Sequence, residues 1–194
     1  MYVKVMNLKI FVLAGQEYDD VRLSREEFPK IKAEMPFGQI PVLEVDGKKL
    51  AQSSAIARYV ARQFGYAGKN AFDEALVDSL VDQWKDFFNE ARPYFMVLLG
   101  FQEGDADAVA KQLVLPAREK FFTFITKFIK NSNSGFLVGD SVTWVDLIVA
   151  ELATQYELVP DFYKGFPEVK AHSEKVRSLP ALKKWIETRP DTPF

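Results

Sequence analysis

Cysteine is absent from the 194-residue sequence, and histidine occurs once, as His172. Without cysteine the chain forms no disulfide, has no thiolate nucleophile and cannot supply a cysteine metal site or a CxxC redox pair. One histidine cannot build a zinc site from paired imidazoles, so no metal site is expected. His172 lies in the charged stretch VKAHSEKVR, which predicts a structural residue or a solvated helix face. Any chemistry therefore depends on hydroxyls, carboxylates, amines, backbone groups or the reactive atom of a bound molecule.

Long apolar runs and an excess of one charge are also missing. The 25 Lys and Arg residues nearly balance the 27 Asp and Glu residues, giving a net charge of −2, which disfavours nucleic acid and anionic membranes as partners. No apolar run approaches the roughly 18 residues of a membrane span, and Lys4 and Lys9 interrupt the N-terminal apolar stretch, which argues against a secretory signal. With 48% hydrophobic and 27% charged residues, the composition is that of a folded globular protein. We therefore expect a cytoplasmic protein.

The periodicity of apolar residues divides the chain into two halves. The first half alternates short helical and extended patterns, which predict a helix ending at Gly15, a strand over 18–23, a short helix or turn over 28–33 and a hairpin that turns at Asp46-Gly47. Ser53 then begins a helix, with its hydroxyl as the expected cap. Beyond residue 72 helical periodicity continues almost to the end. The pattern predicts an α+β chain, with an α/β domain over 1–65 followed by an all-helical domain over 72–194.

One helix of the second half has a specific start signal. Thr143 and Asp146 form a Thr-x-x-Asp capping box, in which each side chain satisfies a backbone N–H group at the helix start. Val142 and Leu147 have the spacing of the accompanying hydrophobic staple. We interpret these residues as a structural device.

Two features of the first half are suited to binding an extended peptide. Gln39-Ile40-Pro41 precedes a strand, and a proline there leaves its predecessor extended, with backbone groups available for pairing. Gln52-Ser53 lies where a strand passes into a helix, so the Ser53 hydroxyl and the first helical N–H groups form a carboxylate site at the positive helix end. Each feature alone is common in proteins, but the two together at this spacing are a much more specific sign of a peptide-binding site.

The segment PFGQIPVLEVDGKKLAQSSAIARYVARQFG resembles the core of the cytosolic glutathione S-transferases, and is most similar to the sigma-like class and its nematode relatives. The similarity continues through FDEALVDSLVDQW, GDSVTWVDL and LPALKKWIETRPDTPF, and covers roughly residues 10–194. It implies the glutathione transferase fold, with a truncated thioredoxin-like α/β domain followed by an all-α domain. It also implies a detoxifying enzyme that conjugates glutathione, as co-substrate and without a further cofactor, to hydrophobic electrophiles.

The resemblance also implies which residues bind glutathione. They are Phe28, Lys32, Gln39, Ile40, Pro41, Gln52, Ser53 and Asp86. Ile40, before a cis-Pro41, would pair its backbone with the cysteinyl unit of glutathione. Gln52 and Ser53 would hold the γ-glutamyl carboxylate, in agreement with the helix-end argument.

The remaining residues of this set concern the ends of glutathione. Phe28 stands where sigma-like enzymes usually have a tryptophan, which removes an indole N–H donor for the glycyl carboxylate. Lys32 matches a family lysine and still supplies a positive charge. Asp86 corresponds to an aspartate that reaches the γ-glutamyl amine across a dimer interface; alternatively, it is an exposed helical carboxylate beside Lys85.

The beginning of the sequence departs from the family. Family members begin with a strand that ends in a catalytic tyrosine, followed by a turn that contains an arginine, and this sequence is short of that segment by about a dozen residues, the length of a parallel crossover. Tyr2 is the only nearby phenol, but a strand over residues 2–6 would place it at the wrong end. The catalytic residue is therefore unassigned, with Ser53 and Tyr2 as substitutes. We expect weakened activity, because a thiol of pKa near 8.5 is mostly protonated at neutral pH.

The sequence leaves three functions open. The first is a glutathione transferase with weakened activity, and the second is a non-catalytic protein that binds glutathione and lipophilic ligands, which the nematode resemblance suggests include haem. The third is a purely structural relative, like the lens crystallins of this family. Because loss of the first strand loosens the small domain, we expect a monomer or a weak homodimer.

Overall fold

The structure, a computed structural model, describes residues 5–189, with side chains from residue 8 onward. Its elements, in chain order, are α1 (Val5–Ala14), α2 (Phe28–Ile31), β1 (Val42–Val45), β2 (Lys48–Ala51), α3 (Ser53–Phe64), α4 (Ala71–Leu98), α5 (Ala106–Val109), α6 (Leu115–Asn131), α7 (Trp144–Gln155), α8 (Pro167–Arg177) and α9 (Pro180–Thr188). The described chain forms two compact units, one up to Ala67 and again from Arg177, the other over Gly68–Val176. The predicted α+β class is confirmed, whereas the domain limits 1–65 and 72–194 remain a prediction.

The hairpin of the first unit forms as predicted. Asp46 and Gly47 both have positive φ, 50° and 74°, which is the backbone of the tight turn that suits the twist of a two-residue hairpin. The two antiparallel strands pair Val42 with Ala51 and Val45 with Lys48. Both strands pack against α3.

The strand predicted over residues 18–23 is wrong. Residues 16–24 have no regular secondary structure, and within residues 5–189 the sheet consists of β1 and β2 alone. A strand needs a neighbour to complete its hydrogen-bond ladder, and no described strand pairs with this segment. The ring of Tyr18 lies against that of Phe11, with centroids 5.5 Å apart. Side-chain alternation alone therefore did not specify a strand.

Helix α1 ends before Gly15, as predicted, and packs against α3 and α9. Its Lys9 is only 1% exposed, although lysines are rarely buried. Burial lowers the pKa of the Lys9 ammonium well below its usual range, and repulsion from the nearby guanidinium groups of Arg177 and Arg189 lowers it further. The first unit therefore holds a lysine whose charged form is destabilised by folding.

Replacing Lys9 with methionine is expected to remove part of the pH dependence of stability. Since the folded pKa of Lys9 lies below the unfolded value of about 10.5, the unfolded chain binds more protons, and wild-type stability should rise as the pH rises toward that value. In Lys9→Met the free energy of unfolding should rise less over the same range, because the titrating group is gone. Urea unfolding at several pH values measures the difference, with the exposed Lys30→Met as control. The same pH dependence in Lys9→Met and in the wild type would contradict the prediction.

The second unit is helical, and α4 is its longest element. Asn70 caps α4 by accepting the N–H groups of Phe72 and Asp73, and Pro93 lies inside the helix without ending it. The buried side chains of α4 include Leu80, Trp84 and Phe87. Within residues 5–189, no helix combines the length and apolar character needed to cross a membrane.

The predicted capping box is present at the start of α7. The Thr143 backbone N–H and hydroxyl donate to Asp146 Oδ2 at 2.7 and 2.8 Å. His172 of α8 is buried, so of the two sequence interpretations it is the structural residue and not the solvated helix face, and its Nε2 lies 2.8 Å from Asp146 Oδ1. The charged residues around His172 occupy the other faces of α8, because Lys170, Glu174 and Lys175 are exposed.

Candidate functional site

The open end of the β1–β2 hairpin brings the two predicted peptide-binding features together. Val42 pairs with Ala51 at the last rung, so Pro41 and Gln52 lie just beyond the same end, remote from the Asp46–Gly47 turn. Because paired strands are about 4.8 Å apart, the two chain segments are separated by about that distance where they leave the hairpin. Two sequence segments separated by residues 42–51 therefore form one surface.

Ile40 and Pro41 form one side of this surface. The peptide bond between them is cis, as the resemblance predicts. Ile40 is 49% exposed, and no hydrogen bond within the described chain engages its backbone. Its N–H and C=O groups are therefore available to an extended ligand.

The start of α3 forms the other side. Gln52 has φ 76° and ψ 115°, and its carbonyl accepts the Ile56 N–H at 2.9 Å, which makes Gln52 the cap residue. Ser53 is the first helical residue, so the prediction that its hydroxyl caps the helix is wrong. The positive φ of Gln52 turns the chain sharply out of β2. Because no side chain of residues 5–189 caps α3, its first N–H groups remain available beside the Ser53 hydroxyl.

Helix α2 and the turn after it flank the hairpin. Phe28 and Ile31 pack on the small cluster of Met35, Val42 and Ala51. Phe28 is half-buried in this cluster, whereas Lys32 and Gln39 are exposed. These contacts attach the segment that carries Lys32 to the open end of the hairpin.

Gly38 is a supporting residue that sequence reasoning missed. Its φ is 60°, and a Cβ at this position would lie 3.5 Å from Lys32 Cε. Glycine thus permits the left-handed backbone of this turn, while a Cβ there would make only an ordinary contact with the Lys32 side chain. The available signal was the glycine of PFGQIP, directly before the predicted peptide-binding residues.

Asp86 and Tyr2 are the remaining residues that the sequence analysis singled out. Asp86 is exposed on α4 of the second unit and accepts a hydrogen bond from Gln83 Nε2 at 3.4 Å. Lys85 pairs with Asp82 at 2.9 Å, not with Asp86. Tyr2 lies outside the described residues. The part of the chain that the structure describes contains no group of three His, Asp or Glu side chains placed to hold a metal ion.

The open end of the hairpin offers three kinds of contact. Unpaired backbone groups at Ile40 suit an extended peptide, the N-terminus of α3 with Ser53 suits a carboxylate, and Lys32 suits a second carboxylate. This combination matches a short peptide that carries carboxylates at both ends.

Comparison with known proteins agrees with this geometry. Residues 5–62 match the family model of the glutathione S-transferase N-terminal domain, and residues 83–189 match that of the C-terminal domain. The chain is 53% identical over 188 residues to "Probable glutathione S-transferase 5" of Caenorhabditis elegans, covering 96% of this chain and 91% of that protein. It is 52% identical over 186 residues to glutathione S-transferase 1 of Ascaris suum, covering 95% and 90%.

A solved structure shows the same similarity in three dimensions. Monomeric Na-GST-3, a glutathione S-transferase from the hookworm Necator americanus, is 64% identical and superposes with a TM-score of 0.94, covering 97% of this chain and 93% of that one. The family models and these relatives thus show a transferase whose co-substrate is glutathione. The chain belongs to the glutathione S-transferase family and is of the nematode type.

Proposed function

We propose that the open end of the hairpin binds glutathione in the manner the family resemblance implies. The Ile40 backbone pairs with the cysteinyl unit, next to Gln39 and Pro41, while Gln52 and Ser53 hold the γ-glutamyl carboxylate. The observation that carries this proposal is the uncapped start of α3, placed by the last rung of the hairpin beside the cis peptide. These groups supply a positive helix end, a hydroxyl and free backbone groups at one position.

The other end of glutathione lies toward α2 in this proposal. Lys32 holds the glycyl carboxylate, and Phe28 contributes an apolar wall without an indole donor. Asp86 binds the γ-glutamyl amine only where a partner subunit brings it to the site. The two proposed domains are residues 1–65, which carry the glutathione site, and residues 72–194.

The proposed reaction is conjugation at a low rate. The thiolate of glutathione attacks the electrophilic carbon of a hydrophobic compound, a C–S bond forms and the leaving group departs with its electron pair. The 194-residue chain offers no counterpart of the family's catalytic tyrosine to stabilise the thiolate, and Ser53 is the nearest hydroxyl to the proposed cysteinyl position in sequence terms. We place the protein in the sigma-like class, with a detoxifying role in the cytoplasm.

Replacing Ser53 with alanine is expected to weaken glutathione binding about 10- to 100-fold, because a hydrogen bond to a carboxylate contributes about 1.5–3 kcal/mol. Calorimetric titration at neutral pH measures the change. Ser79→Ala is the matched control, since the Ser79 hydroxyl is exposed on α4 and donates to the Leu76 carbonyl. Equal affinities for Ser53→Ala and wild type would place glutathione elsewhere, and no binding by wild type at several millimolar glutathione would refute the proposed site.

A second candidate function is binding of lipophilic ligands, including haem, without catalysis. The second unit favours it, because Leu98, Phe101 and Leu113 are 39%, 59% and 40% exposed near the end of α4 and around α5. Turnover of an aryl halide with glutathione supports the first function. Saturable haem binding without turnover supports the second function. If the protein shows neither activity, the structural role is favoured.

We propose that the protein is a monomer or a weak homodimer. The reason is the two-stranded sheet of the described chain, which gives the small unit less support than a complete sheet for its share of an interface. The related Na-GST-3 is described as monomeric. Sedimentation at micromolar concentration should give a species of 22.1 kDa that dominates on dilution. A dilution-resistant dimer would contradict this and would support Asp86 as a ligand shared across subunits.

A further inference from the structure

The carboxylate of Asp146 joins three segments of the second unit. Its Oδ2 accepts two hydrogen bonds from Thr143, and its Oδ1 accepts the Leu137 N–H and the His172 Nε2–H, each at 2.8 Å. Thr143 and Leu137 are at most nine residues away, but His172 comes from α8, 26 residues along the chain. Asp146 is fully buried and His172 is 2% exposed. Helix α8 thus completes the coordination of a buried carboxylate that also holds the loop between α6 and α7.

The protonation pattern of His172 follows from this contact. A carboxylate oxygen accepts, so Nε2 carries the hydrogen, and Nδ1 has no hydrogen-bond partner. Asp146 is therefore the single polar anchor of the imidazole ring within the described chain. If α8 moves away, Asp146 loses a donor and the ring loses its anchor, so each group stabilises the position of the other.

The outer side of α8 holds the same loop at a second point. Lys175 Nζ donates to the Ser134 carbonyl and lies 4.2 Å from the centroid of the Phe136 ring. A Cβ on Gly135 would lie 3.0 Å from Lys175 Nζ, so the loop backbone approaches this side chain closely. The contacts of His172 and Lys175 lie one helical turn apart on α8.

Within the loop, short-range hydrogen bonds keep the backbone bent but do not attach it to α8. The Ser132 hydroxyl accepts the Gly135 N–H at 3.1 Å, and the Ser134 hydroxyl donates to the Gly139 carbonyl at 2.8 Å. The loop also forms one wall of a cleft of about 640 Å³, whose other walls include Leu76 of α4 and Phe128 of α6. Movement of the loop would therefore change the shape of this cleft.

We propose that α8 is a latch on the α6–α7 loop, residues 132–143, so that the loop and α8 open together as one unit while α4, α6 and α7 stay folded. The buried contact is His172 with Asp146, and the outer contact is Lys175 with Ser134 and Phe136. Local opening of such units is detected by amide hydrogen exchange. The latch predicts that exchange in the loop depends on side chains of α8.

The test compares exchange rates of the Phe136 and Leu137 amides, each divided by that of Leu80 in α4 to remove any change in global stability. Lys175→Met is the first variant, because Lys175 is exposed and its loss should not prevent folding. We expect both ratios to rise about three- to tenfold. The matched control is Lys170→Met, since Lys170 is exposed on α8 and lies near Glu174 instead of the loop. Unchanged ratios in Lys175→Met, or equal changes in both variants, would overturn the outer contact.

The buried contact is tested with His172→Gln, which retains an N–H donor, and His172→Leu, which does not. We expect the Leu137 ratio to rise at least about tenfold in His172→Leu and less in His172→Gln. The control is again Lys170→Met, because Lys170 lies near Glu174 on the exposed side of α8 and contacts neither α7 nor the loop through that pair. If His172→Leu does not fold, the separate results for His172→Gln and Lys175→Met still test the latch. Loop exchange independent of all these variants would refute it.

Discussion

Replacing Asp146 with alanine is expected to lower the free energy of unfolding by about 3–5 kcal/mol. The substitution leaves the Leu137 and Thr143 N–H groups, the Thr143 hydroxyl and the His172 Nε2–H without an acceptor. Leu137, Thr143 and His172 are all buried, so water cannot replace the lost carboxylate without opening the structure. Urea unfolding, followed by the fluorescence of the neighbouring buried Trp144, measures the loss.

The control for this experiment is a carboxylate of the same loop region. Asp140 is exposed and pairs with Lys69, and Asp140→Ala should leave the unfolding midpoint close to that of wild type. A similar loss of stability in both variants would show that carboxylates near α7 stabilise the protein through their negative charge alone, not through the buried hydrogen bonds of Asp146. A loss below about 1 kcal/mol in Asp146→Ala would show that the network is not a main source of stability.

The conjugation rate of the 194-residue chain is expected to rise about tenfold per pH unit between pH 6.5 and 8. Only the thiolate of glutathione reacts, and a thiol with a pKa near 8.5 ionises in that proportion when no protein group lowers its pKa. At neutral pH the rate should be roughly 10² to 10³ below that of a transferase with an activating phenol, the usual cost of losing one preorganised donor. Initial rates with an aryl halide, as kcat/KM against pH, measure both effects.

A high rate that is flat from pH 6.5 to 8 would mean that a group of this protein ionises the thiol. Ser53→Ala is then the first variant to make, because its hydroxyl lies at the start of α3 beside the proposed site. Tyr2→Phe is the second. The uncatalysed reaction, measured in parallel at every pH, is the control, since its rate also follows thiol ionisation.

Features with local causes could be predicted from the sequence. The hairpin turn needs two residues that tolerate positive φ, and Asp46 and Gly47 are residues of that kind. The capping box depends on a spacing of three residues, and Thr143 and Asp146 provide it. The proximity of Pro41 and Gln52 also belongs here, because the register of one hairpin places them at the same end.

Features that depend on distant parts of the chain were missed. The pattern of residues 18–23 resembles a strand, but whether a strand forms depends on a neighbour elsewhere in the chain. The sequence left open whether His172 is structural or solvated, whereas the structure buries it against Asp146 of another helix. Nor does the N-terminal pattern show that Lys9 is buried on α1, which packs against α3 and α9. Packing between elements, rather than propensity within them, decided these three cases.

The two-stranded sheet has a consequence for behaviour at high concentration. Within the described residues each strand has one lateral edge with no strand partner, and such edges favour aggregation between molecules. Glu44 of β1 and Lys48 and Lys49 of β2 are all exposed, on strands of only four residues. Charged side chains on short edge strands oppose edge-to-edge association. These three residues therefore act as solubility determinants, and engineering of this surface should preserve them.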